Sequence, residues 1–174
     1  MHISPHMDIP VQHFACLTLF CILTLTCLHF MDINRQSTAY YRVETFIDIP
    51  PSEVYEVVAC LDRWHEWQSG VRVIRGNGKL QEGDLFKWNN AGMQITSRLT
   101  NLRAGEYLGW QSRAMWIKAA IFWEFEPAGD GCRVIYEQSI EGFGSGLLKT
   151  ALTNSMETTL LELKKYCENE LVVA

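Results

Sequence analysis

Between Val71 and Glu141 the sequence is cut by turn residues into six short segments, and from Leu147 to Glu170 it then runs without Gly or Pro. That order leaves few architectures open. The segments are Val71 to Arg75, Asp84 to Asn89, Met93 to Leu102, Glu106 to Arg113, Ile117 to Glu126 and Cys132 to Glu141. Their apolar residues tend to recur with period two, the signature of strands with one buried face. Gly76-Asn77-Gly78, Ala91-Gly92, Ala104-Gly105 and Gly129-Asp130-Gly131 separate them, and each is short enough to turn neighbours into antiparallel hairpins. Only Arg113 to Met115 is ambiguous.

In the closing stretch Leu148, Leu152, Ser155/Met156, Thr159, Leu163 and Tyr166 recur at helical spacing. One amphipathic helix of about 36 Å would result, long enough to lie across the whole sheet. Upstream, Tyr41 to Ile49 alternates as a strand with Arg42, Glu44 and Asp48 sharing a face, and Pro50-Pro51 ends it. Ser52 to Leu61 reads as a short helix with Pro51 near its first turn and Glu53 placed favourably against its dipole. Asp62 to Gly70 closes it. The fold class is therefore α+β: an antiparallel sheet of about seven strands, its apolar face covered by one long helix, with room for a hollow between them.

Charge and cysteine content narrow the function. Fifteen Lys and Arg against 20 Asp and Glu give a net charge of −5, which argues against nucleic acid as a partner held through phosphate contacts. The six cysteines, at 16, 21, 27, 60, 132 and 167, form no C-x-x-C pair. Neither a structural metal site nor a redox dithiol is written there.

Residues 1–31 differ from the rest. Every Lys and Arg lies at Arg35 or later, and Val11 to Met31 is an uncharged run about as long as the ~20 residues a membrane-spanning helix needs. Gln12, His13, His29 and three threonines make it less apolar than a Leu-rich anchor. It lacks the basic start and small-residue end of a secretory signal. Three readings stay open: a membrane span or signal at 11–31, a true start of translation at Met31, and a packed core element. If it spans, Arg35 and Arg42 hold the remainder in the cytoplasm, tethered to the membrane. The domain proper is counted as 32–174.

Four stretches of that domain carry a family likeness: Ile47-Asp-Ile-Pro-Pro-Ser-Glu-Val-Tyr55, Leu61-Asp-Arg-Trp-His-Glu-Trp67, Trp123-Glu-Phe-Glu-Pro127 with Gly129-Asp-Gly-Cys-Arg-Val-Ile-Tyr136, and the final helix. From about Tyr41 to Cys167 the chain resembles the START-like helix-grip superfamily (SRPBCC), in particular its polyketide cyclase/dehydrase and lipid-transport branch. The resemblance implies a curved sheet gripping the helix around a cavity for an apolar small molecule. A lipid, a quinone or a polyketide-like ring would fit that description.

Alternation sorts the strand faces. Val43, Thr45, Ile47, Phe86, Trp88, Met93, Ile95, Ser97, Leu99, Leu108, Trp110, Ser112, Ile121, Trp123, Phe125, Val134, Tyr136, Gln138 and Ile140 form the apolar register, which faces the helix. Arg42, Glu44, Asp48, Lys87, Arg98, Lys118, Glu124, Glu126, Arg133, Glu137 and Glu141 form the other. The inner face thus offers no Asp, Glu, His or Lys for acid-base work, so no catalytic residue, metal or cofactor is assigned. His65 is the domain's single histidine, and with Asp62 and Glu66 it reads best as a solvated helix end. The expected ligand contacts are Phe86, Trp88, Ile95, Ser97, Leu99, Trp110, Ser112, Ile121, Trp123, Tyr136 and Gln138 from the sheet, with Leu152 and Met156 from the helix. A cyclase or dehydratase using Tyr136, Ser97, Ser112 and Gln138 is the alternative. A protein-interaction module with a filled core is a third reading, and the oligomeric state is left open.

Overall fold

The computed structural model describes residues 33–171. The 11–31 segment lies outside the described residues. Among those described, no helix is long and apolar enough to cross a membrane.

The strands are β1 (Ala39–Ile47), β2 (Val71–Arg75), β3 (Leu85–Asn90), β4 (Met93–Arg103), β5 (Tyr107–Ala114), β6 (Ile117–Ala128) and β7 (Gly131–Glu141). They form one seven-stranded sheet in the order β1-β7-β6-β5-β4-β3-β2, antiparallel throughout. Helix α1 (Pro51–Ala59), the short α2 (Trp64–Trp67) and the long α3 (Lys149–Glu170) pack on its apolar face. This is the α+β helix-grip arrangement.

Boundaries move by a few residues for identifiable reasons. β1 ends at Ile47 because the next amide, Asp48 N–H, donates to Glu168 of α3 at 3.0 Å. α1 stops at Ala59: Cys60 turns extended and bridges Lys79, and Leu80 N–H donates to the Ala59 carbonyl at 2.8 Å. Leu61, expected in the helix, instead opens a 3-10 turn (Leu61–Arg63) leading into α2. A second 3-10 turn, Ser145–Leu148, takes the first residues expected in the long helix.

Hairpin geometry follows turn chemistry. Ala91 and Gly92 both take positive φ, 49° and 88°, the conformation that matches a two-residue turn to twisted strands. Met115, with φ of 53°, makes the equally tight turn between β5 and β6. Gly142 leaves β7 at φ +133°, where a Cβ would stand 2.7 Å from the Trp116 carbonyl, so the exit toward α3 hugs that turn.

The register sorting survives with two amendments. A bulge at Leu99–Asn101 in β4 inserts Thr100 and flips the face beyond it, so Leu102 rather than Asn101 packs against the core. Glu137, sorted to the outer face, does lie there but is only 5% exposed. Residues 33–40 cross that face and cover it, with Arg35 at 2.9 Å, Tyr40 Oη–H at 3.2 Å and Arg42 at 3.5 Å from its carboxylate. Pairing and hydrogen bonding offset the cost of burying this charge.

Cys132 and Cys167 are fully buried, and burial pushes their thiols up to about 11 and about 12. Both therefore stay protonated near neutrality and unreactive. Of the three described cysteines, Cys60 should alkylate first in folded protein, and Cys132 and Cys167 only on unfolding, as read by peptide mass spectrometry. Since both values are raised, the associated stability is present below about pH 9 and falls as pH rises toward the folded values. A urea midpoint constant from pH 8 to pH 11 would contradict this.

Candidate functional site

The sheet and α3 do not close on each other along their whole length. Toward its C-terminal half α3 buries Leu160, Leu163 and Cys167, whereas toward its start it presents Ala151, Leu152, Ser155 and Thr159. Small residues on the sheet answer them: Ala114 ends β5, and Ala119 of β6 pairs with Ser112. Where small faces small, about 210 Å³ is left unfilled.

That hollow is lined by Trp88, Ile95, Ser112, Ile117, Ile121, Tyr136, Gln138 and Ile140 of the sheet, with Gln68 after α2. Asn90, Met93, Ala114 and Ile117 bring the two tight turns to its rim. Met93, placed on the inner face by alternation, is 42% exposed there because it opens β4 beside the turn. No lining residue carries a formal charge. Beside the rim a polar groove of about 220 Å³ shares Gln68, Asn90, Ser155 and Thr159 and adds Ser69, Asn154, Thr158 and Glu162. Glu162 is engaged there by both the backbone N–H and the hydroxyl of Ser69.

The polar groups of the inner face are ordered mainly by one another. Trp88 Nε1–H donates to Ser97 Oγ at 2.9 Å, and the Ser97 and Ser112 hydroxyls share a hydrogen bond at 2.8 Å. Tyr136 Oη–H donates to Gln138 Oε1 at 3.0 Å, which leaves the Gln138 amide nitrogen as a donor beside the hollow. Burial pushes the Tyr136 hydroxyl well above its ordinary range, so it is a donor near neutrality and not a base. Trp123 stacks on Tyr136 with ring centroids 4.0 Å apart and planes 8° apart.

Of the thirteen contacts expected from sequence, Trp88, Ile95, Ser112, Ile121, Tyr136, Gln138 and Leu152 line the hollow. Trp110 and Trp123 border instead a smaller space of about 20 Å³, continuous in its walls with the first through Gln68, Trp88, Ile121 and Tyr136. Ser97 stands behind Ser112 through their shared bond. Phe86, Leu99 and Met156 are each 1% exposed and are packed core. Sequence reasoning passed over Ala114, Ala119, Ala151 and Ser155, whose short side chains make the room. It also passed over Gln68 and Asn90, which lie at the ends of elements.

A further hollow of about 260 Å³ lies on the outer sheet face, lined by Ile33, Arg35, Thr100, Asn101, Phe122 and Glu137 among others. Its size exceeds that of the inner hollow, but the Arg35–Glu137 ion pair in its wall suits it poorly to an apolar guest. Among the described residues no group of three or more His, Cys, Asp or Glu could hold a metal ion.

Residues 39–168 match the family described as polyketide cyclase/dehydrase and lipid transport. No curated protein matches the sequence. Among solved structures, protein CV1439 from Chromobacterium violaceum is similar with a TM-score of 0.66 at 16% identity, over 76% of this chain and 99% of that one. Protein jhp0584 from Helicobacter pylori gives 0.68 at 14%, over 77% and 90%. DynU16, a protein of the dynemicin biosynthetic locus, gives 0.64 at 15%, over 75% of this chain and 48% of that one. At such identities these likenesses show the fold alone.

Proposed function

The chain belongs to the polyketide cyclase/dehydrase and lipid-transport family, and from that premise we propose that it binds a small apolar molecule, without turning it over, in the hollow between the sheet and α3. The carrying observation is the uncharged lining around about 210 Å³. Small-molecule sites are mostly apolar with a few placed polar groups, and span roughly 300–1,000 Å³. Falling below that range, this hollow suits a compact guest, a fused ring system or one short acyl chain, better than a two-chain lipid. Gln138 and Ser112, the latter held by its bond to Ser97, supply the orienting contacts.

Acid-base turnover finds less support. Proton transfer near neutrality needs a group that titrates there, and the lining offers only hydroxyls, amides and indoles. The unfilled space likewise favours ligand binding over an interaction module with a solid core. The same proposal assigns binding to residues 32–174, with 1–31 as a separate apolar segment.

Titrating the full chain with the neutral fluorophore N-phenylnaphthylamine should give saturable binding with a Kd in the micromolar range, and native mass spectrometry should show one molecule per chain. Absence of saturable binding would overturn the reading.

A further inference from the structure

The geometry points to a hydrogen-bond-donor subsite at the inner end of the hollow, where Trp67, Trp110 and Trp123 would hold a carbonyl oxygen of the ligand. This rests on the hollow being a ligand site and adds which ligands it takes. Five tryptophans, Trp64, Trp67, Trp88, Trp110 and Trp123, surround the space of about 20 Å³. Two have acceptors in the protein: Trp64 Nε1–H donates to the Val58 carbonyl and Trp88 Nε1–H to Ser97 Oγ, both at 2.9 Å. The other three are 5%, 5% and 2% exposed, and none of their N–H groups has an acceptor within reach.

Buried donors without acceptors are rare in native proteins, a few per hundred residues, and each asks for an explanation. Three carried by residues that line one space point to a shared one. The volume exceeds the ~10–15 Å³ that an oxygen-sized occupant needs and is far too small for a ring. An indole N–H donates and cannot accept, so the occupant must be an acceptor. A hydroxyl or amine placed there would bring a proton of its own, for which the lining offers only the Gln68 amide oxygen and the Tyr136 hydroxyl, the latter already donating to Gln138. A carboxylate would bury a charge with no cation among the lining residues. A neutral carbonyl, whose oxygen has two lone pairs, accepts from two of the three donors with neither cost, and Gln68, Trp88, Ile121 and Tyr136, common to both spaces, connect its position to the apolar body in the larger hollow. The implied ligand is a compact apolar molecule ending in a ketone or quinone oxygen.

The test compares acetylnaphthalene with isopropenylnaphthalene, which match in shape but differ in carrying C=O or C=CH₂. Calorimetric titration of the full chain should give roughly tenfold tighter binding of the ketone, the scale of one to two net hydrogen bonds. In ¹H–¹⁵N spectra at least two of the indole resonances of Trp67, Trp110 and Trp123 should move downfield with the ketone and not with the alkene. Equal affinities without differential indole shifts would overturn the subsite and leave the hollow as a ligand site. Failure of both probes to bind would overturn the ligand reading and the subsite with it.

Discussion

Ala119→Leu should weaken the binding of a neutral apolar fluorophore at least tenfold while leaving the protein folded. Ala119 is 7% exposed and lies between Ser112 on one side and Ile140 on the other, with its methyl on the wall of the hollow. Three added carbons there have unfilled space ahead of them and no packed neighbour to displace. Overpacking a filled core typically costs ~1–3 kcal/mol; filling a void should be neutral or stabilising. The expected result is at least a tenfold weaker Kd with a thermal midpoint within about 2 °C of the parent, since 1 kcal/mol corresponds to several degrees in a domain of this size. Unchanged affinity would place the ligand elsewhere.

Trp64→Ala should cost a large share of the stability. Trp64 is 2% exposed and sits among Phe86, Trp88 and Trp110, with ring centroids at 5.7, 5.6 and 5.6 Å. Removing such a ring costs about 3–5 kcal/mol through lost burial and the cavity left behind. The orphaned Val58 carbonyl, which accepts from its N–H, adds about 1 kcal/mol. Against the 5–15 kcal/mol total of ordinary domains that is about a quarter or more. A fall in thermal midpoint on the order of 10 °C or more is expected, whereas Trp116→Ala, at a side chain 61% exposed, should stay within about 0.5 kcal/mol. A Trp64→Ala protein melting like the parent would refute this account of the aromatic cluster.

Much of the fold was legible because it rests on local signals. Ala91-Gly92 and Gly129-Asp130 announce turns, the period-two segments announce strands, and an uninterrupted amphipathic stretch announces the helix. The exceptions are tertiary. Nothing in Leu99-Thr100-Asn101 announces a bulge, and Glu137 is buried where Arg35 of the preceding segment and Tyr40 and Arg42 of β1 close on its carboxylate. The candidate site was half legible for a related reason. Alternation says which residues face inward but not whether anything fills the space before them. Phe86 and Leu99 face inward and are packed solid, Phe86 directly beneath Trp64. Ser112 faces inward opposite Ala119 and is not. The room is written in short side chains, and a missing side chain is a weak signal until its neighbours are known.

The pairing of the first strand with the last also governs how the domain can be made. β1 is hydrogen-bonded along its length to β7, and the Ser37 hydroxyl just before it donates to the Ile140 carbonyl 103 residues onward. During synthesis β1 leaves the ribosome with no strand partner and must wait, its amides bound to water, until β7 and then α3 follow. Contacts that close so long a loop form late and slowly, and an unpaired apolar strand invites pairing with another chain in the meantime. The nascent domain is thus most open to misassembly at its first strand rather than at its middle.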